Sequence, residues 1–209
     1  MFYFVRTPGW LKKLYRNYTW DVKNTGNSIY LTFDDGPHPS ITGFVLDELK
    51  KYKAHATFFC IGNNIFQYPE VYQRIIDEGH ATGNHTYDHL NGWKTEDEIY
   101  FENVQQAGKL IHSQLFRPPF GRIKRSQFRK LKASENDFKV IMWDVLSADF
   151  DTNISREKCL ANVLNNARCG SIIVFHDSEK AREKMCYALP EVLKFFTEKG
   201  YLFKKIEIS

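Results

Sequence analysis

Short, unbroken apolar runs and stretches of helical spacing take turns along this chain. Ser28–Phe33 is rich in β-branched and aromatic residues and reads as a strand. Phe44, Val45, Leu46 and Leu49 repeat at helical spacing over Ile41–Tyr52. Ala56–Ile61 is a continuous apolar run, as expected of a strand buried on both faces. Pro69 stands where a helix can begin, and Val71–Asp77 carries that helix to Gly79. Ala81–Gly83 reads as a short strand. Thr95-Glu96-Asp97-Glu98 has the form of a capping box and predicts a helix ending near Gln114. Phe116 leads into the stiff loop Arg117-Pro118-Pro119-Phe120-Gly121. Ser126–Ser134 reads as a helix, Lys139–Trp143 as a strand and Asp144–Asp151 as an acidic loop. Ser155 caps a helix to about Ala167, and Ser171–Phe175 is a buried strand ending at His176. Leu189–Lys199 predicts a helix closed by Gly200, and Tyr201–Ile206 a last strand. Repeated βα units without a linker or composition break predict one α/β domain on a parallel sheet, either open and doubly wound or a barrel.

The polar residues gather where these strands end. Asp34 and Asp35, His85 and His89, Arg117, Asp149 and His176 all lie just after predicted strands. In βα architectures those ends share one face, where sites are built. Asp34-Asp35 is followed by a Gly-Pro turn, and His85-Thr86-Tyr87-Asp88-His89 places two imidazoles four residues apart. On a helical turn that spacing would put both rings on one face. One carboxylate with the two histidines is a three-ligand set for a divalent ion, and the second carboxylate is left to act as a base. Each motif has a plainer reading, as a turn, a chance histidine pair or a stiff loop, but five converging segments outweigh it.

Composition adds bounds. With 209 residues, 43% hydrophobic and 26% charged, the chain suits one well-packed domain. A net charge of +4 and scattered cations give no nucleic-acid stripe. The densest basic group, around Arg122–Lys132, reads as a solvated helix face. Cys60, Cys159, Cys169 and Cys186 fit no zinc motif or disulfide framework, so a reducing compartment is the simpler expectation. No run approaches a membrane span. The apolar start is too short for a signal-peptide core, which predicts a cytoplasmic or membrane-peripheral protein. Phe2, Phe4, Trp10, Leu11, Leu14 and Tyr15 are candidates for a surface anchor. A segment that closes one end of the domain is preferred, giving an N-terminal capping segment at 1–27 and the main domain at 28–209. Aromatics make up 15% of the chain; most must be core, and a surplus also suits a cleft that stacks sugar rings.

These motifs carry a resemblance. Thr32-Phe33-Asp34-Asp35-Gly36-Pro37, His85-Thr86-Tyr87-Asp88-His89, Arg117-Pro118-Pro119-Phe120-Gly121, Trp143–Phe150 and Ile173-Val174-Phe175-His176-Asp177 resemble, in order, the five motifs of the NodB-homology polysaccharide deacetylases, carbohydrate esterase family 4. The resemblance spans roughly Ser28 to Gly200. It implies a single-domain distorted (β/α) barrel that binds a divalent metal, zinc first, with cobalt, nickel or manganese as alternatives. It implies removal of acetyl groups from N-acetylated sugars of a polysaccharide or glycan precursor. By position, Asp35, His85 and His89 would bind the metal, Asp34 would be the base and Arg117 would orient it. The Phe120 backbone N–H would stabilise the oxyanion, Val174 would receive the acetyl methyl and His176 would be the acid. The fourth motif departs from the family's Asp-x-x-Asp-Trp. Leu146 stands at the Asp that supports the catalytic histidine, and Phe150 at the Trp. The expectation is a less elevated His176 pKa unless Asp144, Asp149 or Asp177 takes over. Two other readings stay open: a catalytically weakened metal- and glycan-binding barrel, and an amidohydrolase of this fold acting on a non-sugar amide.

Overall fold

The computed structural model describes residues 3–23 and 26–207. Phe2, one of the anchor candidates, lies outside them, as do the last two residues of the 28–209 unit.

Eight strands form one parallel sheet: β1 (Ser28–Asp34), β2 (Thr57–Cys60), β3 (Ala81–Asn84), β4 (Leu115–Phe116), β5 (Lys139–Val140), β6 (Val145–Leu146), β7 (Ile172–His176) and β8 (Leu202–Phe203). The order is β5-β4-β3-β2-β1-β7-β6, with β8 beside the start of β1. β1 is central. It pairs with β2 through Thr32–Asp34 and with β7 through Tyr30–Asp34, and all seven of its residues are buried. That burial on both faces explains why its sequence is nearly continuous in apolar and β-branched residues. The helices are α1 (Gly9–Leu14), α2 (Ile41–Lys51), α3 (Gly62–Gln67), α4 (Pro69–Asp77), α5 (Asp97–Gly108), α6 (Arg125–Ala133), α7 (Arg156–Leu164) and α8 (Arg182–Glu198). They place Val45, Leu46, Leu49, Ile75, Val163, Leu189 and Val192 in the main core.

The sheet curves as a barrel but does not close, since β5 and β6 are its two edges. Residues 5–22 lie along that opening. Thr19 N–H donates to Val140 O at 2.9 Å and Met142 N–H to Thr19 O at 2.7 Å. Leu146 N–H donates to Val5 O at 2.8 Å, and Thr7 N–H to Asp144 O at 2.8 Å. Edge strands with unpaired backbone groups are a liability, and this strap satisfies them. Lys12 Nζ locks it inward, 2.5 Å from both Asp21 Oδ2 and the buried Asp144 Oδ1.

Several elements differ from expectation. The capping box does not form, because Thr95 Oγ1 donates to Asn91 O at 2.8 Å instead. Glu96 is the N-cap, without a side-chain bond, and α5 ends at Gly108 rather than near Gln114. The chain turns there so that Ile111 can be buried on the way to β4. α8 begins at Arg182, before the predicted Leu189, and runs through Pro190. Met185 and Ala188, both fully buried, hold that first half in place. β6 lies inside the segment read as a loop. The pair Lys139–Val140 ends sooner than predicted because Ile141 bridges Thr19 of the strap.

Candidate active site

Every strand from β1 to β7, except β2 and β5, delivers a polar group to one rim. β1 ends at Asp34 and hands on Asp35. β3 ends at Asn84 before His85, β4 at Phe116 before Arg117, and β6 at Leu146 before Asp149. β7 ends at His176.

Asp35 Oδ1, His85 Nε2 and His89 Nε2 converge. The Asp35 oxygen lies 3.6 Å from the first imidazole nitrogen and 3.1 Å from the second. All three atoms fall within 4.8 Å of one another. His85 Nδ1 is 2.7 Å from the Arg117 carbonyl, which can only accept, so Nδ1 carries the proton and Nε2 offers a lone pair. Asp35 Oδ1 is buried and no donor satisfies it by hydrogen-bond geometry. A buried, unsatisfied anionic oxygen facing two imidazole nitrogens is a donor set that fits a divalent cation.

The histidines do not sit on a helical turn. Thr86 has φ 66° and His89 φ 57°, and these left-handed residues bend the loop so that the rings meet at 5.1 Å. Asn84 Oδ1 accepts from Thr86 N–H at 2.8 Å, and Asn103 Oδ1 accepts from Tyr87 and Asp88 N–H at 2.8 and 3.0 Å. Asn64 Nδ2 likewise holds the Asp35 carbonyl at 2.6 Å. Sequence reasoning missed these asparagines. The available signal was polar side chains within otherwise apolar periodicity. Among the described non-glycine residues, seven have positive φ. Five of them, Asp35, Thr86, His89, Phe120 and Ala148, lie in the loops of this rim. Strain of that kind persists where the surroundings over-determine it, and it gathers at functional sites.

Beside the convergence point lies a buried pair. Arg117 is fully buried and Asp34 is 3% exposed. Arg117 Nη1 donates to Asp34 Oδ1 at 2.6 Å and to Thr32 Oγ1 at 2.7 Å. Its Nε donates to Ile141 O at 3.0 Å and its Nη2 to Met142 O at 2.9 Å. The guanidinium lies over the Phe59 ring at 4.1 Å.

Opposite it, His176 Nδ1 meets Asp149 Oδ1 at 2.7 Å, while Asp149 Oδ2 accepts the His176 N–H at 2.7 Å. Asp149 is fully buried. Burial would push the His176 imidazole down, but the charge and hydrogen bond of Asp149 outweigh it and raise the pKa to about 10. The expected weakening through Leu146 is therefore corrected, because Asp149 takes over the support. Asp144 and Asp177 do not. Asp144 faces Lys12 and Ser171 Oγ. Asp177 binds Gly36 N–H at 2.9 Å and the Thr42 hydroxyl. It packs so closely there that a Cβ on Gly36 would come 2.1 Å from Asp177 Oδ2, which leaves only glycine at that turn. Phe150 sits edge-on to His176 at 5.2 Å. Val174 is buried in β7, two residues before His176 and on the same face of the strand. Phe120 is 53% exposed, with its ring 4.6 Å from that of His89. Val174 and Phe120 thus lie beside His176 and His89 respectively.

The polysaccharide deacetylase family profile matches residues 21–138, more than half of the chain. A peptidoglycan-N-acetylglucosamine deacetylase of Bacillus cereus is 35% identical over 191 residues, covering 88% of this chain and 89% of the relative. A chitooligosaccharide deacetylase of Azorhizobium caulinodans is 36% identical over 166 residues, covering 75% of this chain and 76% of the relative. The crystal structure of a peptidoglycan N-acetylglucosamine deacetylase bound to an N-hydroxybenzamide superposes with a TM-score of 0.82 at 29% identity, covering 96% of this chain and 95% of that one. The chain belongs to the polysaccharide deacetylase family, hydrolases of carbon–nitrogen bonds other than peptide bonds.

Proposed function

We propose that this protein removes the acetyl group from N-acetylated sugars of a peptidoglycan-like glycan, with a divalent ion held by Asp35, His85 and His89. The observation that carries the reading is three ligand atoms within 4.8 Å, flanked by the buried Asp34–Arg117 pair and by His176 held on the buried Asp149. A divalent ion there would lower the pKa of bound water toward about 7 and polarise the acetyl carbonyl, zinc being the ion such a set favours. Arg117 Nη1 holds Asp34 Oδ1 at 2.6 Å and so aims the carboxylate, which accepts a proton from the attacking water. His176, held by Asp149 through Nδ1–H, donates from Nε2 to the leaving amine. The Phe120 N–H faces the oxyanion, and Val174 floors the space for the acetyl methyl. The products are acetate and a free amino sugar. The hydroxamate-type ligand in the superposed relative supports the metal reading, since such groups chelate cations. The supported acid argues for an active enzyme rather than a weakened binder.

The test is acetate release from N-acetylglucosamine oligomers and peptidoglycan fragments. Release is expected to stop on chelation and return on adding zinc. Full activity in protein shown to be metal-free would sink the reading.

We also propose that the protein works against an anionic membrane. Beyond the inward Lys12–Asp21 pair, residues 1–23 carry Arg6, Lys13, Arg16 and Lys23, which account for the chain's net charge of +4. The same segment exposes Phe4, Trp10, Leu14 and Tyr15 at 40%, 61%, 66% and 45%. No described helix is long and apolar enough to cross a membrane, so the contact would be peripheral. Phosphatidylglycerol vesicles should co-sediment the protein, less so at high salt and less so for Trp10→Ser. Equal recovery with uncharged vesicles, or none with either, refutes the contact.

A further inference from the structure

Outside the N-terminal segment, the exposed large aromatics among the described residues are Phe66, Trp93 and Phe120. Phe66 follows β2, Trp93 follows β3 and Phe120 follows β4. Those three strands are neighbours in the sheet, and the residues after them face the rim that holds the metal ligands. Apolar rings exposed to water are unfavourable, and grouped exposure marks a binding surface.

Two of the rings are tied to the loop that follows β4, one through its own chain and one through Arg122. The Phe120 ring lies 4.6 Å from that of His89. Two residues further on, the Arg122 guanidinium sits over the Trp93 ring at 5.1 Å. Gly92 is pressed so tightly to this loop that a Cβ would come 2.5 Å from the Arg122 carbonyl. The indole is also pinned at its edge, where Trp93 Nε1–H donates to Ile123 O at 3.2 Å, and its backbone N–H donates to Asn91 Oδ1 at 3.1 Å. With Arg122 over one face and 61% of the residue exposed, the other face is open. A ring held on its edge and one face has already lost the freedom that a ligand would otherwise have to remove.

Pyranose rings carry apolar C–H faces that match an open indole face. We propose that Phe120 and Trp93 form a stacking track that runs outward from the metal ligands and holds sugar rings beyond the one being deacetylated. This inference rests on the deacetylase reading and narrows its substrate class to an extended glycan.

The experiment compares N-acetylglucosamine dimer and hexamer as substrates of the zinc-loaded full chain. Trp93→Ala should raise KM for the hexamer roughly three- to tenfold, the worth of one aromatic stacking contact, and leave kcat and the dimer unchanged. Trp93→Phe should recover most of the loss. A parallel arm measures binding of the glucosamine hexamer, which has no acetyl group to lose, and Trp93→Ala should weaken it by the same factor. If the wild type releases no acetate yet binds this hexamer through Trp93, the deacetylase reading fails and the track stands. An equal effect on dimer and hexamer, or no effect on the hexamer in either arm, overturns the track.

Discussion

Replacing Arg117 with methionine is expected to be the most damaging single change to the fold, costing about 3–5 kcal/mol, the range for breaking a buried ion pair by removing one partner. The side chain is fully buried, and its fork reaches four acceptors: Asp34, Thr32 and two carbonyls. Methionine fills the space but donates nothing. It would leave a carboxylate that is 3% exposed without its counter-charge, and the Ile141 and Met142 carbonyls without their side-chain donor. A typical domain is stable by only about 5–15 kcal/mol, so the variant should unfold at a far lower denaturant concentration. Arg117→Lys should recover little, because an ammonium on a flexible stem cannot present a planar fork to acceptors in four directions. Activity should fall in both variants. Urea unfolding is the measurement, and a midpoint for Arg117→Met within error of the wild type would show that the pair holds nothing together.

Asp149→Asn should have the largest effect on chemistry with the smallest on shape. Asparagine can still accept from the His176 backbone N–H but brings no charge to the ring. Loss of a positioned general acid costs about 10²–10⁴ in rate, and kcat should fall within that span. The basic limb of the pH–rate profile should also move to lower pH, because Asp149 is what lifts the imidazole against its burial. Stability follows the same sign. With the folded value raised from 6.5 to about 10, the pair's contribution is fully present below pH 6.5 and is lost as pH rises through about 10. A cation at Asp35 would draw the value down, so unfolding is best followed on chelated protein. Asp149→Asn should flatten that slope. An unchanged slope together with an unchanged kcat would remove Asp149 from the mechanism.

Much of the site was legible because its chemistry is carried by residue types with few other reasons to stand at strand ends. Asp34-Asp35-Gly36-Pro37 and the two histidines announce themselves, and β1 and β7 show their burial in their composition. Other features depend on tertiary context. β4, β5 and β6 are two residues long, too short for any period to show. α3 carries two asparagines and a glycine and forms because the Thr86 and Tyr87 carbonyls accept its first N–H groups. The helical turn expected for His85–His89 gives way to left-handed residues pinned by Asn84 and Asn103, a contact across the fold that no local pattern encodes. Leu146 pointed to a weakened acid, and only the path of the loop to Asp149 shows otherwise.

The strap across the barrel's opening also sets an order of events during synthesis. Thr7 and Lys12 find their side-chain partners 136 and 132 residues later, in Trp143 and Asp144. These early residues leave the ribosome with nothing to bind, and their exposed rings must wait while most of the sheet is made. Such distant pairings slow folding, since the long loop must be closed before it is rewarded. Because Arg117 reaches the Ile141 and Met142 carbonyls and the Met142 N–H is held by Thr19, closing the strap and setting the buried arginine belong to one late step. A half-made chain therefore holds Asp35, His85 and His89 well before the carbonyls that set Arg117 against Asp34 have been made.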